Sequence, residues 1–133
     1  RGKHQGNFNR GYLDIKAIIT NPDDGNNHHF VAYPEANGVK VVSKDGLNVI
    51  DNLQIGRLDV QSAYDLGKKV DHPDAQAIVL ACTNWKSMAI IEQLEQALGK
   101  PVLSTTQVSI WGALRKIGYK GSIAGYGKLL RMF

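Results

Sequence analysis

Three short polar stretches carry the residue types that could do chemistry: Thr20-Asn21, Cys82-Thr83-Asn84 and Ser104-Thr105-Thr106. Each follows an apolar run and is read as leading into a helix. In open α/β sheets, sites form outside the carboxyl ends of the strands. Helix N-termini add unpaired N–H groups and partial positive charge there, which suits a carboxylate ligand. Cys82 is the foremost candidate, because it closes a buried strand immediately before an expected helix start. Such a position favours the thiolate, which can serve as nucleophile, acid or base. The competing reading is that Cys82 only packs, as buried cysteines commonly do. Thr83 and Asn84 read equally well as helix caps, and Asn52 as an Asx-turn residue in a loop.

Other chemistries fit less well. His28-His29 are neighbours and do not share a helix face, so no metal site is expected there. The single cysteine allows neither an internal disulfide nor a Cys-rich zinc site. The stretch from Gly121 to Gly127 lacks both the dinucleotide spacing and a following Lys-Ser/Thr, which argues against a nucleotide.

The elements that would position these residues alternate along the chain. Residues 1–12 are polar and Gly-rich and read as a flexible lead-in; residues 13–133 read as one α/β domain. A strand over 15–20 ends at a turn, Asn21-Pro22-Asp23-Asp24-Gly25. A weak helix is expected over about 24–37, with Pro34 opposing a regular last turn and Gly38 as its cap. A second strand, 39–42, precedes a loop containing Asp45-Gly46 and Asp51-Asn52. Asp59 caps a helix with Val60, Ala63, Tyr64, Gly67 and Val70 on one face, stopped by His72-Pro73-Asp74.

Residues 77–82 (AIVLAC) are apolar throughout, the pattern of a strand buried on both faces of a parallel sheet. Asn84 is expected to cap a helix reaching Leu98, with Met88, Ile91, Leu94 and Leu98 inward and Gly99-Lys100-Pro101 as its stop. A fourth strand, 101–104, leads to a Thr105-Thr106 cap. The next helix is expected to run to about Gly118, with Val108, Trp111 and Leu114 facing in. Residues 121–133 end in a short helix. Strand and helix alternate four times, so the expected fold is a flavodoxin-like three-layer α/β sandwich with a four-stranded parallel sheet.

Composition agrees with a globular chain: 133 residues, 43% hydrophobic and 21% charged. No apolar run reaches the roughly 18 residues of a membrane span, and no segment has the order of a signal peptide. A cytoplasmic setting is expected. The first residue is Arg, as in a processed chain or a piece of a longer one. The formal charge is +4, and no acidic residue follows Glu95, whereas Lys100, Arg115, Lys116, Lys120, Lys128 and Arg131 do. That bias suits anionic partners, small carboxylates included. Nucleic acid is disfavoured against a plain solvated basic face, since no binding motif or aromatic platform accompanies the charge.

The segment CTNWKSMAIIEQLEQALGKPVLSTTQVSIWGALRKIG, from Cys82 onward, resembles maleate cis-trans isomerases of the aspartate/glutamate racemase superfamily. The pieces that carry the resemblance are Cys-Thr-Asn after a strand, the IEQLEQALGKPV run and S-x-x-Q-x-x-x-W-x-x-L-R. The GL…IDNLQIGRL stretch, AYPEANGVKVV and the closing GYGKLLR are similar to the same family. The resemblance covers about residues 15–131. It implies a two-lobe racemase-type fold, of which this chain is the second, C-terminal lobe, with no cofactor and no metal. It also implies that a cysteine of the first lobe adds to the alkene of maleate while Cys82 handles the proton on the opposite side. Thr83, Asn84 and Asn52 match positions that hold the substrate's carboxylates. The chain departs from the pattern in two ways: the first lobe is absent, and Pro22 stands where the family has a Tyr.

The reading is therefore a maleate isomerase-like enzyme, or a lobe of one, acting on a small dicarboxylate. The missing half is supplied by a first lobe or a second copy, since donors from both sides of a cleft are needed. Two alternatives are an arylmalonate decarboxylase-like enzyme using one cysteine, and a non-catalytic isolated α/β lobe.

Overall fold

The protein's structure is a computed structural model that describes the backbone of residues 15–21 and 27–133, and side chains from Ala32 onward. The lead-in expected over 1–12, Pro22, and the side chains of His28 and His29 lie outside the described residues. The elements are β1 (Ile15–Asn21), α1 (Asn27–Ala36), β2 (Val39–Gly46), α2 (Asn52–Arg57), α3 (Val60–Lys69), β3 (Ala77–Leu80), a 3-10 turn (Met88–Ile90), α4 (Ile91–Leu98), β4 (Val102–Ser104), α5 (Thr105–Lys116) and α6 (Lys128–Met132).

The strands form one sheet in the order β2-β1-β3-β4, and every pair is parallel. The chain steps from β1 to one side and then crosses back to the other. The strand order therefore reverses between β1 and β3, which is where parallel sheets open a crevice. β3 ends at Leu80 and not at Cys82 as expected, and only one face is deeply buried: Ile78 and Leu80 are enclosed, whereas Ala77 and Val79 are half-buried. Around Ile78 and Leu80 pack Ala63 and Leu66 of α3, Val70 just after it, Ile91 and Leu94 of α4, Trp85 and Val102. The α3–α4 approach depends on Gly67, where a Cβ would stand 2.4 Å from Leu94 Cδ2. A larger residue would push Leu94 out of the core.

Local signals set several boundaries. Asp59 accepts from the Gln61 amide and caps α3. Gly99 ends α4 at φ 67°, donating to Glu95 O, a conformation that costs side-chain-bearing residues energy. Gly38, at φ 84°, follows α1. Pro34 does not end that helix, which continues to Ala36 and then tightens through Asn37 N to Pro34 O (3.0 Å) and Gly38 N to Glu35 O (3.1 Å). Proline at this place gives up one backbone hydrogen bond of the helix, and the chain leaves the helix within one turn of it.

Elsewhere the structure corrects the sequence reading. β2 extends to Gly46, so Asp45-Gly46 belongs to the strand and not to a loop; pairing with β1 continues to Asn21↔Gly46. Asn52 lies in the first turn of α2 and not in a loop, because Asp51 accepts from Leu53 N and Gln54 N and caps that helix. No helix starts at Asn84; α4 begins only at Ile91. The cap of α5 is Ser104, one residue ahead of the expected Thr105-Thr106. Its hydroxyl accepts from Gln107 N while the Gln107 side chain accepts from Ser104 N. That reciprocal pair is a capping box, and it accounts for the S-x-x-Q spacing. α5 ends at Lys116, and its Val108 is 40% exposed rather than inward. β4 is the sheet's edge, with no further strand beside it among the described residues.

The tail is fastened to this lobe. Glu95, 5% exposed, accepts from Val102 N (3.0 Å) and Lys128 N (2.9 Å). Arg131 pairs with Glu92 at 2.7 Å, Leu130 is buried, and Gln107 Nε2 donates to Tyr126 O. The last helix thus packs on the lobe that precedes it. No helix among the described residues is long and apolar enough to cross a membrane.

One surface pair sets a small pH dependence. The hydrogen bond from Lys69 (2.6 Å), then that from Gly46 N, holds the Asp45 carboxyl below the usual 3.8. A depressed carboxylate stabilises the fold above its unfolded value, and that contribution is lost as pH falls through the folded value. Lys69 is 69% exposed, so screening limits the contribution to a few tenths of a kcal/mol, about 0.3. Urea titrations of Lys69→Met and the parent should differ by about that amount at neutral pH and converge below pH 3.8.

Candidate active site

Cys82 lies two residues beyond the end of β3, on the side where the order reverses. Exposure rises outward along this segment: Leu80 and Ala81 are buried, Cys82 is half-buried, and Thr83 and Asn84 are exposed. Cys82 has φ 146°, which costs a residue with a Cβ on the order of 1–3 kcal/mol. The contacts around it hold it there. Cys82 N donates to Thr105 Oγ1 (3.1 Å), and Thr106 Oγ1 donates to Thr83 O (3.3 Å). On the other side Trp85 is 2% exposed and its indole donates to Ser62 Oγ at 2.9 Å. The segment from Cys82 to Asn84 is therefore suspended between the start of α5 and a tryptophan sunk in the core.

This geometry replaces the expected helix cap. The chain after Cys82 turns inward to bury Trp85 and Ser87 before the 3-10 turn begins. No helix N-terminus follows directly on Cys82 in its own chain segment. The helix start beside it is that of α5, through Thr105 and Thr106, from 23 residues further on.

Asn84 reaches α2. Its Nδ2 donates to Asn52 O at 2.6 Å and to Asn52 Oδ1 at 3.0 Å. The structure thus brings Asn52 and Asn84 together, two residues along from Cys82, with Thr83 exposed between. Three of the basic residues of the second half are engaged elsewhere. Lys100 is taken by Asp71 and the His72 carbonyl, Arg115 by the carbonyls of Tyr119 and Phe133, and Arg131 by Glu92. Among the described residues there is no group of three or more His, Cys, Asp or Glu that could hold a metal ion.

Sequence reasoning missed three supports of this site. Gly56, against which the Asn84 amide lies, gave no signal a lone glycine could carry. The Ser104–Gln107 box was legible in its spacing. Trp85 as an anchor was not, because its Ser62 partner is 23 residues away.

A family model described as arylmalonate decarboxylase matches residues 13–130. The maleate isomerase of Geobacillus stearothermophilus is 32% identical over 101 residues, which is 75% of this chain and 40% of that protein. In structure, the Nocardia farcinica maleate cis-trans isomerase bound to Tris superposes with a TM-score of 0.83 at 26% identity, covering 92% of this chain and 51% of that one. A Cys-to-Ser mutant of the same isomerase, carrying a covalently bound succinylcysteine intermediate, gives 0.84 at 25% identity, over 93% of this chain and 52% of that one. The chain spans about 40% of the curated relative's length and about half of these solved chains. With 118 consecutive residues, 13 to 130, under one family model, this chain belongs to the arylmalonate decarboxylase family.

Proposed function

We propose that the chain is the second, C-terminal lobe of a maleate cis-trans isomerase-like enzyme that acts on a small dicarboxylate through Cys82. In this reading residues 13–133 form one flavodoxin-like three-layer lobe of a two-lobe, cofactor-independent cytoplasmic protein. The observation that carries it is the placement of a strained, half-buried cysteine at the strand-order reversal, beside a paired set of amides.

The chemistry explains why such groups are needed. Maleate cannot rotate about its double bond, so isomerisation requires a passing single bond. A thiolate adds to one alkene carbon, forming a C–S bond. The alkene's electron pair moves to the other carbon, where the adjoining carboxylate spreads it. Rotation about the new single bond follows. Loss of the thiolate restores the double bond as fumarate. The succinylcysteine of the Nocardia relative is such an adduct with a proton on the second carbon. In the proposed assembly a first-lobe cysteine adds, and Cys82, on the opposite face, gives and takes that proton. Asn52 and Thr83, with Asn84 beside them, hold the carboxylates through charge-assisted hydrogen bonds that fix the diacid in the cleft. The other side of the cleft comes from a first lobe or a second copy.

A second reading has its own support: the matched family model is described as arylmalonate decarboxylase, and the chain has one cysteine. There Cys82 would protonate the carbanion left as carbon dioxide departs.

Proton NMR of the purified chain with maleate, and separately with phenylmalonate, tests both. Fumarate formation supports the isomerase, and carbon dioxide release from phenylmalonate supports the decarboxylase. No conversion, together with no maleate-induced shifts at Asn52, Thr83 and Asn84, overturns both and leaves a non-catalytic lobe.

A further inference from the structure

Two distances fix the orientation of the amides in this pair. Asn84 Nδ2 lies 2.6 Å from the main-chain oxygen of Asn52. A carbonyl oxygen only accepts, so the Asn84 atom facing it must be nitrogen. The same nitrogen is 3.0 Å from the Asn52 side chain, which must therefore present Oδ1. Both hydrogens of the Asn84 amide are thereby used. Its remaining polar atom, Oδ1, is an acceptor and would repel a carboxylate. Asn52 Nδ2 is turned away from Asn84, and among the described residues it makes no hydrogen bond.

Gly56 makes room for this arrangement. It stands inside the six-residue helix α2, although glycine is the poorest helix former after proline. Its φ is not positive, so its backbone does not require glycine. A Cβ at this position, however, would lie 3.2 Å from both Nδ2 and Oδ1 of Asn84 and 3.5 Å from its Cγ. The amide plane covers the bare Cα.

We infer that Asn84 is a positioning residue and not a substrate ligand: it holds Asn52 with Nδ2 outward, and Gly56 is the position that lets it do so. This rests on the proposed reading of Asn52 as a carboxylate donor. The pair turns a flexible, exposed amide into a donor aimed one way. Its effect on the reaction is therefore on binding, uniform between ground and transition state, and falls on KM.

The test uses Gly56→Ala, Asn84→Asp and the double variant in the whole chain. Aspartate keeps the shape of Asn84 but supplies no donor and faces two oxygens. In the parent, the Asn84 side-chain amide protons should exchange with solvent about tenfold more slowly than those of Asn52, the factor of one modest hydrogen bond. Each single variant should shift the Asn52 side-chain amide signals and raise maleate KM about tenfold with kcat little changed. Gly56→Ala should add nothing further in the Asn84→Asp background, since both act through one contact. Equal amide exchange at the two residues in the parent, or a Gly56→Ala effect that persists undiminished in the double variant, overturns the inference. If the parent neither binds nor converts maleate, the functional reading fails by itself, and the exchange and shift measurements still decide the pair.

Discussion

Cys82→Ala should remove the proposed diacid conversion while leaving the fold intact. If Cys82 moves the proton, the loss is about a thousandfold, the usual contribution of one well-placed acid or base. The structure separates that loss from unfolding. Cys82 is half-buried, and among the described residues its polar ties, N to Thr105 Oγ1 and O from Trp85 N, use its main chain. Alanine keeps both. Cys82→Gly sharpens the prediction, because φ 146° suits glycine and strains a residue with a Cβ. That variant should be inactive and more stable, by about 1 kcal/mol after glycine's entropy cost is subtracted. A site that sacrifices stability for a reactive group behaves this way. Maleate followed by proton NMR and urea denaturation read the two effects separately. Retained turnover in either variant would sink the assignment of Cys82, and a less stable Cys82→Gly would remove the strain argument.

Glu95→Gln should be costly although Glu95 lies outside the site. The carboxylate is nearly buried and uses one oxygen for Val102 N and the other for Lys128 N. Glutamine has one acceptor, so one of those N–H groups would face an amide NH2. A buried donor facing a donor loses its bond and its solvation together, and bonds to a charged acceptor are the stronger kind. The expected cost is about 2–4 kcal/mol. It should appear as a lower urea midpoint at nearly constant slope, with lost exchange protection at Val102 and Lys128. Gly127 shares the same joint: a Cβ there would meet Ile91 Cγ2 at 2.4 Å, and φ is 88°. Unchanged stability in Glu95→Gln would show that the tail is held by Leu130 and the Arg131–Glu92 pair instead.

These two residues also mark the boundary between local and tertiary information. The sequence by itself determined the alternation of strands and helices, the apolar strand starting at Ala77, the Asp59 cap, the Gly99 stop and a cysteine by a strand end, although it ran that strand two residues too far. Each depends on residues within a turn or two of one another, through propensity, capping and apolar patterning. It also carried the family resemblance, whose S-x-x-Q spacing proved to be a capping box. Tertiary structure alone decided what surrounds Cys82. The helix expected at Asn84 is displaced because burying Trp85 against Ser62 outweighs a local cap. Asn84 then pairs with Asn52, 32 residues away, and Glu95 joins β4 to α6 across 33. Contacts at such separations leave no periodic trace in a single sequence, because they arise only when packing brings distant segments to one place.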